Sequence, residues 1–320
     1  MSKLVAVTGA TGFVGPHLVR ALARHGWTVR LLVRRWSPLP DLAGVQAELV
    51  LGDLADEKAL GRLVDGAEAV VHAAGLIKAR IEADFMAVNR DGTALLSRLA
   101  PDARFLLLSS LAAREPELSA YAASKRAAEE VLKTRSGPWF AVRAPAVYGP
   151  GDRETLAYFK TVDRGWAPRP MVEGARLSLI HVGDLAEALA RSLGAGLPPS
   201  VYEVDDGHSE GGRGGHSYDD MARAAGLALK GGALGRMPRT LAVPRPVLAA
   251  VGAWNGLRQS LGGAPQILTA GKVAEMFHPD WTIHDRRLAE AIRFLARYDL
   301  QRGFADTVLW YRQRHWLGNR

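Results

Sequence analysis

Tyr121-Ala122-Ala123-Ser124-Lys125 sets a phenol and an ammonium four residues apart. On a helix that step places both on one face, one turn from each other. A phenol of ordinary pKa near 10 trades protons at neutral pH only after a shift of about three units, and a neighbouring cation supplies part of it. Eleven residues earlier Ser110 closes the run Phe105-Leu106-Leu107-Leu108-Ser109-Ser110. A hydroxyl there can orient a substrate oxygen by hydrogen bond. Ser109 is the alternative for that role. The chemistry this set suits is general acid–base catalysis at a carbon–oxygen bond.

Oxidation or reduction at such a carbon also needs a hydride carrier, and the N-terminus has the residues to hold one. Leu4-Val5-Ala6-Val7 reads as a strand and runs into Thr8-Gly9-Ala10-Thr11-Gly12-Phe13-Val14-Gly15-Pro16. The glycines stand three and three apart, a variant of the dinucleotide fingerprint. Gly9 permits the tight turn, Gly12 lets backbone approach a pyrophosphate, and Gly15 lets helix and strand pack. Thr11, Phe13 and Val14 lie between them, at the positive N-terminus of the next helix. The second strand ends Leu32-Val33-Arg34-Arg35-Trp36-Ser37 without the carboxylate that would bind a ribose 2′-hydroxyl. Arg34 and Arg35 suit a 2′-phosphate, so NADP is expected, with NAD as the alternative. Asp53 and Leu54 follow the third strand, beside the adenine edge. Ala73-Ala74-Gly75 follows the fourth, with small side chains where the ribose passes.

The elements that must position these groups are legible as alternation. Thr28–Val33, Val45–Leu51, Glu68–His72, Phe105–Leu108 and Trp139–Val142 are strand-length apolar runs, mostly separated by helical periodicity such as Val14, Leu18 and Leu22. That order predicts an α/β fold, a Rossmann doubly wound parallel sheet with a smaller, mostly helical C-terminal substrate lobe. The dinucleotide-binding domain is expected over 1–150 with a return at 176–204, and the substrate lobe over 151–175 and 205–320. A helix is expected at Glu154–Arg164, then a Pro-rich bend at Ala167–Pro170, a strand ending at Ile180-His181, a helix capped by Asp184, a strand at 201–204, a glycine-rich surface loop at 207–215, and beyond it helices only.

Composition narrows the classes. The 320 residues contain no cysteine, which excludes disulfides, thiolate zinc sites and a cysteine nucleophile, and no metal is expected. No apolar stretch is long enough to span a bilayer, and Met1-Ser2-Lys3 leads straight into a strand, so a cytoplasmic protein is expected. The net charge is +8. Eight arginines fall between Asp285 and Arg320, but without interleaved aromatics on one face, so no nucleic-acid partner is expected. Leu241–Leu261 is apolar. It suits helix packing, a pocket lined by Trp254, Met276 and Trp281, or contact with a membrane surface.

The chain resembles the short-chain dehydrogenase/reductase superfamily, in its extended, epimerase/dehydratase-like branch. The likeness rests on TGATGFVG (8–15), GDLAD (52–56), VHAAG (71–75), VNRDGTALL (88–96), LLLSS (106–110), YAASK (121–125), RAPAVYGPGDR (143–153) and IHVGDLAEAL (180–189). It implies that Ser110, Tyr121 and Lys125 form the catalytic triad, that Lys125 also bonds the nicotinamide ribose, and that Asn89 is the active-site helix asparagine. It places Pro145 and Val147 at the nicotinamide and implies a homodimer through helices near 81–100 and 119–135. Nucleotide-sugar members carry polar residues where this chain has Ala146, Ser178 and Leu179. The pattern is nearer to hydroxysteroid dehydrogenases and dihydroflavonol reductases. The expected activity is hydride transfer to or from a hydrophobic secondary alcohol or ketone. The rivals are a nucleotide-sugar epimerase or dehydratase, which would retain its cofactor, and a non-catalytic dinucleotide sensor, which would not need an activated phenol.

Overall fold

The computed structural model describes residues 3–34, 42, 44–210, 213–230, 237–260 and 268–318. Arg35, Trp36, Ser37, Leu261 and part of the glycine-rich loop lie outside the described residues. The first half alternates as its apolar runs require: β1 (Lys3–Thr8), α1 (Gly15–Arg24), β2 (Trp27–Val33), β3 (Ala47–Leu51), α2 (Glu57–Val64), β4 (Ala69–His72), α3 (Glu82–Phe85), a π-helical turn (Met86–Asp91), α4 (Gly92–Leu99), β5 (Arg104–Ser110), a 3-10 turn (Leu111–Arg114), α5 (Ala120–Lys133) and β6 (Trp139–Ala144). Next come β7 (Ala146–Tyr148), α6 (Leu156–Asp163), β8 (Trp166–Pro170), β9 (Arg176–Leu177), β10 (Leu179–His181), α7 (Val182–Gly194) and β11 (Ser200–Glu203). The remaining described elements are β12 (Ser209–Glu210), β13 (Arg213–Gly214), β14 (His216–Ser217), α8 (Tyr218–Leu229), β15 (Arg239–Val243), α9 (Arg245–Ser260), α10 (Ala270–Met276), β16 (Asp280–Trp281), α11 (Arg287–Ala291) and α12 (Leu300–Gln313).

The main sheet has the order β3-β2-β1-β4-β5-β6-β11, and every pairing in it is parallel. The winding reverses between β1 and β4, so a crevice opens beyond their carboxyl ends. One face of the sheet packs against α1 and α7 through Leu18, Leu22, Leu185 and Leu189. The other packs against α2, α4 and α5 through Leu60, Leu63, Leu96 and Leu132. A third core, around Tyr148, Phe159, Phe304 and Tyr311, joins α6, α8 and α12.

Several details differ from the sequence reading. Ala167–Pro170 is a strand: β8 pairs in parallel with β15, residue for residue from Trp166↔Arg239 to Pro170↔Val243. Proline's fixed φ suits extended backbone, and a two-stranded ribbon leaves an edge where a missing N–H costs no ladder bond. For the same reason Leu241–Val243 is strand, and the part beyond residue 215 also carries β14 and β16, so it is not helices only. His181, not Asp184, caps α7, its Nδ1 accepting from Gly183 N at 3.2 Å. Asp184 sits in the first turn, and its carboxylate accepts from Arg297 N at 3.1 Å and Tyr298 N at 2.9 Å.

Candidate active site

The turn from β1 to α1 is shaped by its glycines. Gly9 has φ +81°, and a Cβ on it would meet Ala73 and Ala74 backbone at 2.6 Å. Gly12 N donates to the Gly9 carbonyl at 3.0 Å and Gly15 N to the Gly12 carbonyl at 3.2 Å. A Cβ on Gly15 would overlap the Gly9 carbonyl, so the loop folds on itself before α1 begins. Thr11 and Gly12 are exposed at that helix's N-terminus, with Phe13 and Val14 half-buried behind them. The arrangement offers backbone N–H groups and the positive end of a helix to an anion. His17 Nε2 bonds the Pro150 carbonyl at 2.9 Å and fastens this loop to the turn after β7.

Around the crevice, Arg34 is exposed immediately past β2. Gly52 N donates to the Val33 carbonyl at 3.1 Å, and Asp53 Oδ1 accepts from Ala55 N at 2.9 Å, so the turn after β3 sits beside the end of β2. Leu54 packs where Gly92 leaves room for it. Ala73 N bonds the Thr8 carbonyl at 3.2 Å and Ala74 N the Thr8 hydroxyl at 3.3 Å. Beneath them His72 is fully buried, with Nδ1 2.7 Å from Thr8 Oγ1. Burial, and then the Lys125 charge, lower its pKa to about 3, so it stays neutral.

Asn89, in the π-helical turn, is buried and fully used. Its Nδ2 donates to the Leu76 carbonyl at 3.1 Å and to Ser124 Oγ at 2.9 Å, and its Oδ1 accepts from Leu76 N at 2.8 Å. It ties the segment after β4 to α5, the helix of the phenol. A Cβ on Gly75 would stand 3.0 Å from Asn89 Oδ1 and 3.8 Å from Lys125 Nζ, so only a glycine leaves this gap open.

Ser119 caps α5, accepting from Ala122 N at 3.0 Å, and sets the register that brings Tyr121 and Lys125 to one side. Ser110 and Tyr121 border the same cavity. Burial pushes the Tyr121 phenol up to about 12; the Ser110 hydroxyl works against the rise and the Glu275 carboxylate adds to it. Lys125 Nζ donates to the Leu108 carbonyl at 2.6 Å. Burial draws the ammonium down to about 8, against the pull of Glu129. The phenol is therefore held with its proton on, whereas the sequence reading has Lys125 lowering it. Desolvation by burial is the largest influence on the phenol, and it acts in the direction opposite to the one expected of the cation.

The adjacent serines face opposite sides of β5. Ser109 is buried and donates to Glu129 Oε1 at 2.5 Å. Glu129 is also gripped by Arg143, at 2.9 Å and 2.7 Å, in a pair that joins α5 to β6. Ser110 opens into a cavity of about 790 Å³. Tyr121, Pro145 and Ala146 border the same space, under an apolar wall that includes Ile77, Phe85, Met276 and Trp281. Val147, next along β7, packs against the core instead. Trp254, expected in the pocket, is 61% exposed and turned away from it.

Sequence reasoning missed the polar end of this cavity. Glu275 is buried there, bonded to the Ser119 hydroxyl and to Lys272 Nζ at 2.8 Å, while its carbonyl accepts from Trp281 Nε1 at 2.8 Å. A signal was present: Glu275 is the one acidic residue between Asp220 and Asp280. Ile77, Ile81 and Phe85 give no such signal, because an apolar residue outside a periodic pattern does not say which wall it joins.

A model of proteins described as the NAD dependent epimerase/dehydratase family matches residues 5–205. The ceramide reductase of Caulobacter vibrioides is 41% identical over 319 residues, 98% of this chain and 96% of that protein. The 4-hydroxy-2-methyl-3-oxo-4-farnesyl-3,4-dihydroquinoline-1-oxide ketoreductase of Stigmatella aurantiaca is 29% identical over 226 residues, 63% of this chain and 67% of that one. Among solved structures, gox2253 superposes with a TM-score of 0.76 at 21% identity, over 99% of this chain and 100% of that chain, a likeness of fold.

Proposed function

The chain belongs to the NAD-dependent epimerase/dehydratase family of Rossmann oxidoreductases, and on that premise we propose that it reduces the ketone of a long-chain, ceramide-type lipid to a secondary alcohol. The observation that carries this reading is that Ser110 and Tyr121 together border a largely apolar cavity of about 790 Å³. The volume is in the range that encloses a small organic molecule or the reacting part of a larger one. The likeness to the 41%-identical ceramide reductase supports the substrate class.

The glycine loop Gly9–Gly15, the turn at Asp53-Leu54, the strip Ala73-Ala74-Gly75 and Pro145 are the residues assigned to a pyridine dinucleotide. They fit one: the cradle is open where a Cβ would fill it, and α1 presents its N-terminus. When bound, the nicotinamide supplies the hydride that reaches the carbonyl carbon. Ser110 donates a hydrogen bond to the carbonyl oxygen and draws charge toward it. Tyr121 gives that oxygen its phenolic proton, which completes the alcohol. Lys125, one helical turn on, offsets the charge left on the phenolate, and it reaches the ribose side of the crevice beneath Gly75. Asn89 is a positioning residue, since its polar atoms are spent on Leu76 and Ser124. A phenol held near 12 is loaded for reduction. We assign NADPH as the preferred form, because Arg34 is exposed at the end of β2 and the run Leu32–Ser37 carries no carboxylate.

The nucleotide-sugar reading finds less support: where a diphosphate would need polar partners the cavity has Ala146, and Ser178, whose hydroxyl is spent on Asp205 and Ile283 N. Net NADPH oxidation, followed by absorbance, tests the proposal with a ceramide-type ketone against UDP-glucose. Consumption with the lipid alone is expected; turnover of the sugar nucleotide without net consumption would overturn it. In the same assay Arg34→Ala/Arg35→Ala should weaken NADPH binding about tenfold or more and leave NADH binding unchanged, since each charge-assisted bond to a phosphate contributes about 1.5–3 kcal/mol.

A further inference from the structure

The face that α9 turns outward has the wrong polarity for water. Its inner stripe is Leu248, Gly252, Asn255 and Gln259, small or polar apart from Leu248. Asn255 Nδ2 donates to the Leu268 carbonyl at 3.0 Å, and Gln259 Nε2 to the carbonyls of Ala79 and Arg80, each at 2.8 Å. Gly252 lies against α10, where a Cβ would sit 3.3 Å from Val273. The outer face carries Val247, Val251 and Trp254, exposed by 52%, 43% and 61%. Packing has fixed the helix with its apolar side out, the reverse of an ordinary surface helix. The segment 77–81, which Gln259 holds beside α9, adds exposed Ile77 and Ile81.

Basic residues outnumber acidic ones beside this face, where Glu82 is the exposed carboxylate next to Ile81. Between residues 221 and 274 the chain has seven lysines and arginines and no acidic residue, nearly all of the +8 net charge. Arg245 and Arg258 flank α9's apolar stripe, and Lys78 and Arg80 are exposed on the neighbouring segment. The cavity lies between these two elements, bordered by Ile77 and Ile81 on one side and by Gly252 and Gly256 on the other. We propose that α9 and the 77–81 segment lie flat on an anionic membrane surface, so that the cavity opens toward the bilayer. An apolar stripe bearing a tryptophan, edged by arginine and lysine, is what partitions into the headgroup boundary, and basic residues add attraction to anionic lipid. The docking rests on the apolar stripe and its charges. Its purpose, direct delivery of a lipid ketone, rests on the function proposed above.

Flotation of the full-length protein with phosphatidylglycerol–phosphatidylcholine vesicles tests this without substrate or cofactor. Binding is expected to anionic vesicles at low salt, to weaken on pure phosphatidylcholine and at high salt, and to fall about tenfold or more in Val251→Ser/Trp254→Ser. The same variant should reduce a short, water-soluble ketone as the wild type does. Absence of wild-type binding, or undiminished binding by the variant, would overturn the proposal. So would a wild-type dimer that becomes a monomer in the variant, since a second copy would then cover the stripe. Vesicle binding by a protein that reduces no ketone would leave the docking standing and defeat only the proposed reaction.

Discussion

A proton donor is most useful when its proton is retained until the acceptor arrives, and burial does that for Tyr121 by holding its phenol near 12. Removing the hydroxyl should therefore stop the chemistry and little else. Tyr121→Phe is expected to lower turnover by about 10² to 10⁴, with dinucleotide affinity and melting temperature unchanged; a variant as fast as wild type would sink the assignment. On the proposed mechanism Lys125 sets the pH response. With its ammonium drawn down to about 8, the charge that offsets the phenolate fades as pH rises through that value, and reduction should slow on the alkaline side. Lys125→Arg stays charged throughout, so its rate, though lower, should lose that limb. The sign for stability is opposite. The unfolded lysine keeps its proton up to 10.5, so the fold gains stability between about 8 and 10.5. The tyrosine and lysine were legible from their spacing. The choice between Ser109 and Ser110 was not, because alternation along a strand says that neighbours face opposite ways without saying which way is the cavity. Ser109 is engaged by Glu129, which Arg143 also holds, and Ser110 is the one of the two that borders the cavity.

At the scale of elements, legibility followed how local the cause was. β1 to β6 are each a strand-length, largely apolar run, and all but the edge strand β3 pair on both sides, so their existence could be read in advance. β8 could not be, since nothing in Ala167-Pro168-Arg169-Pro170 announces pairing with Arg239–Val243 some seventy residues on. Two-residue strands such as β9 and β16 exist only because their partners bring them together. α9 was legible as a helix, but its rotation was not; bonds from Asn255 and Gln259 set it, against its apolar pattern. The glycine loop offers a controlled test of a local cause. Gly9 and Gly26 share nearly the same φ, +81° and +80°, but only Gly9 is crowded, with backbone at 2.6 Å from where a Cβ would stand. Gly26→Ala should cost about 1 kcal/mol, the left-handed penalty alone. Gly9→Ala should cost clearly more in urea unfolding and should also weaken dinucleotide binding. Equal losses would mean that the approach of Ala73 and Ala74 is not what demands the glycine.

Across the whole molecule, the main sheet supplies only the floor of the cavity at Ser110 and Ala144, and the chain's last quarter has to be fastened before the wall around Gly252, Met276 and Trp281 has a fixed place. Two fastenings stand out. Tyr311 Oη, on α12, donates to the Asp152 carbonyl at 2.7 Å, in the same turn whose Pro150 carbonyl is held by His17 beside the glycine loop. Asp184, in the first turn of α7, receives the backbone N–H groups of Arg297 and Tyr298 just before α12 begins. Its carboxylate is 4% exposed, and burial raises its pKa, so the two amide bonds are what make its position tolerable. Asp184→Ala leaves two buried amides without that acceptor, at about 1–3 kcal/mol each. The expected result is a melting temperature lower by several degrees. The loss should be uneven: hydrogen exchange should rise first in α12 and in α8, which packs on it, while β1, β4 and β5 stay protected. Asp184→Asn retains one acceptor oxygen and should fall between the two. Uniform loosening of sheet and C-terminal helices alike would show instead that the molecule opens as one cooperative unit, and that the Asp184 bonds stabilise the whole fold without governing the cavity wall in particular.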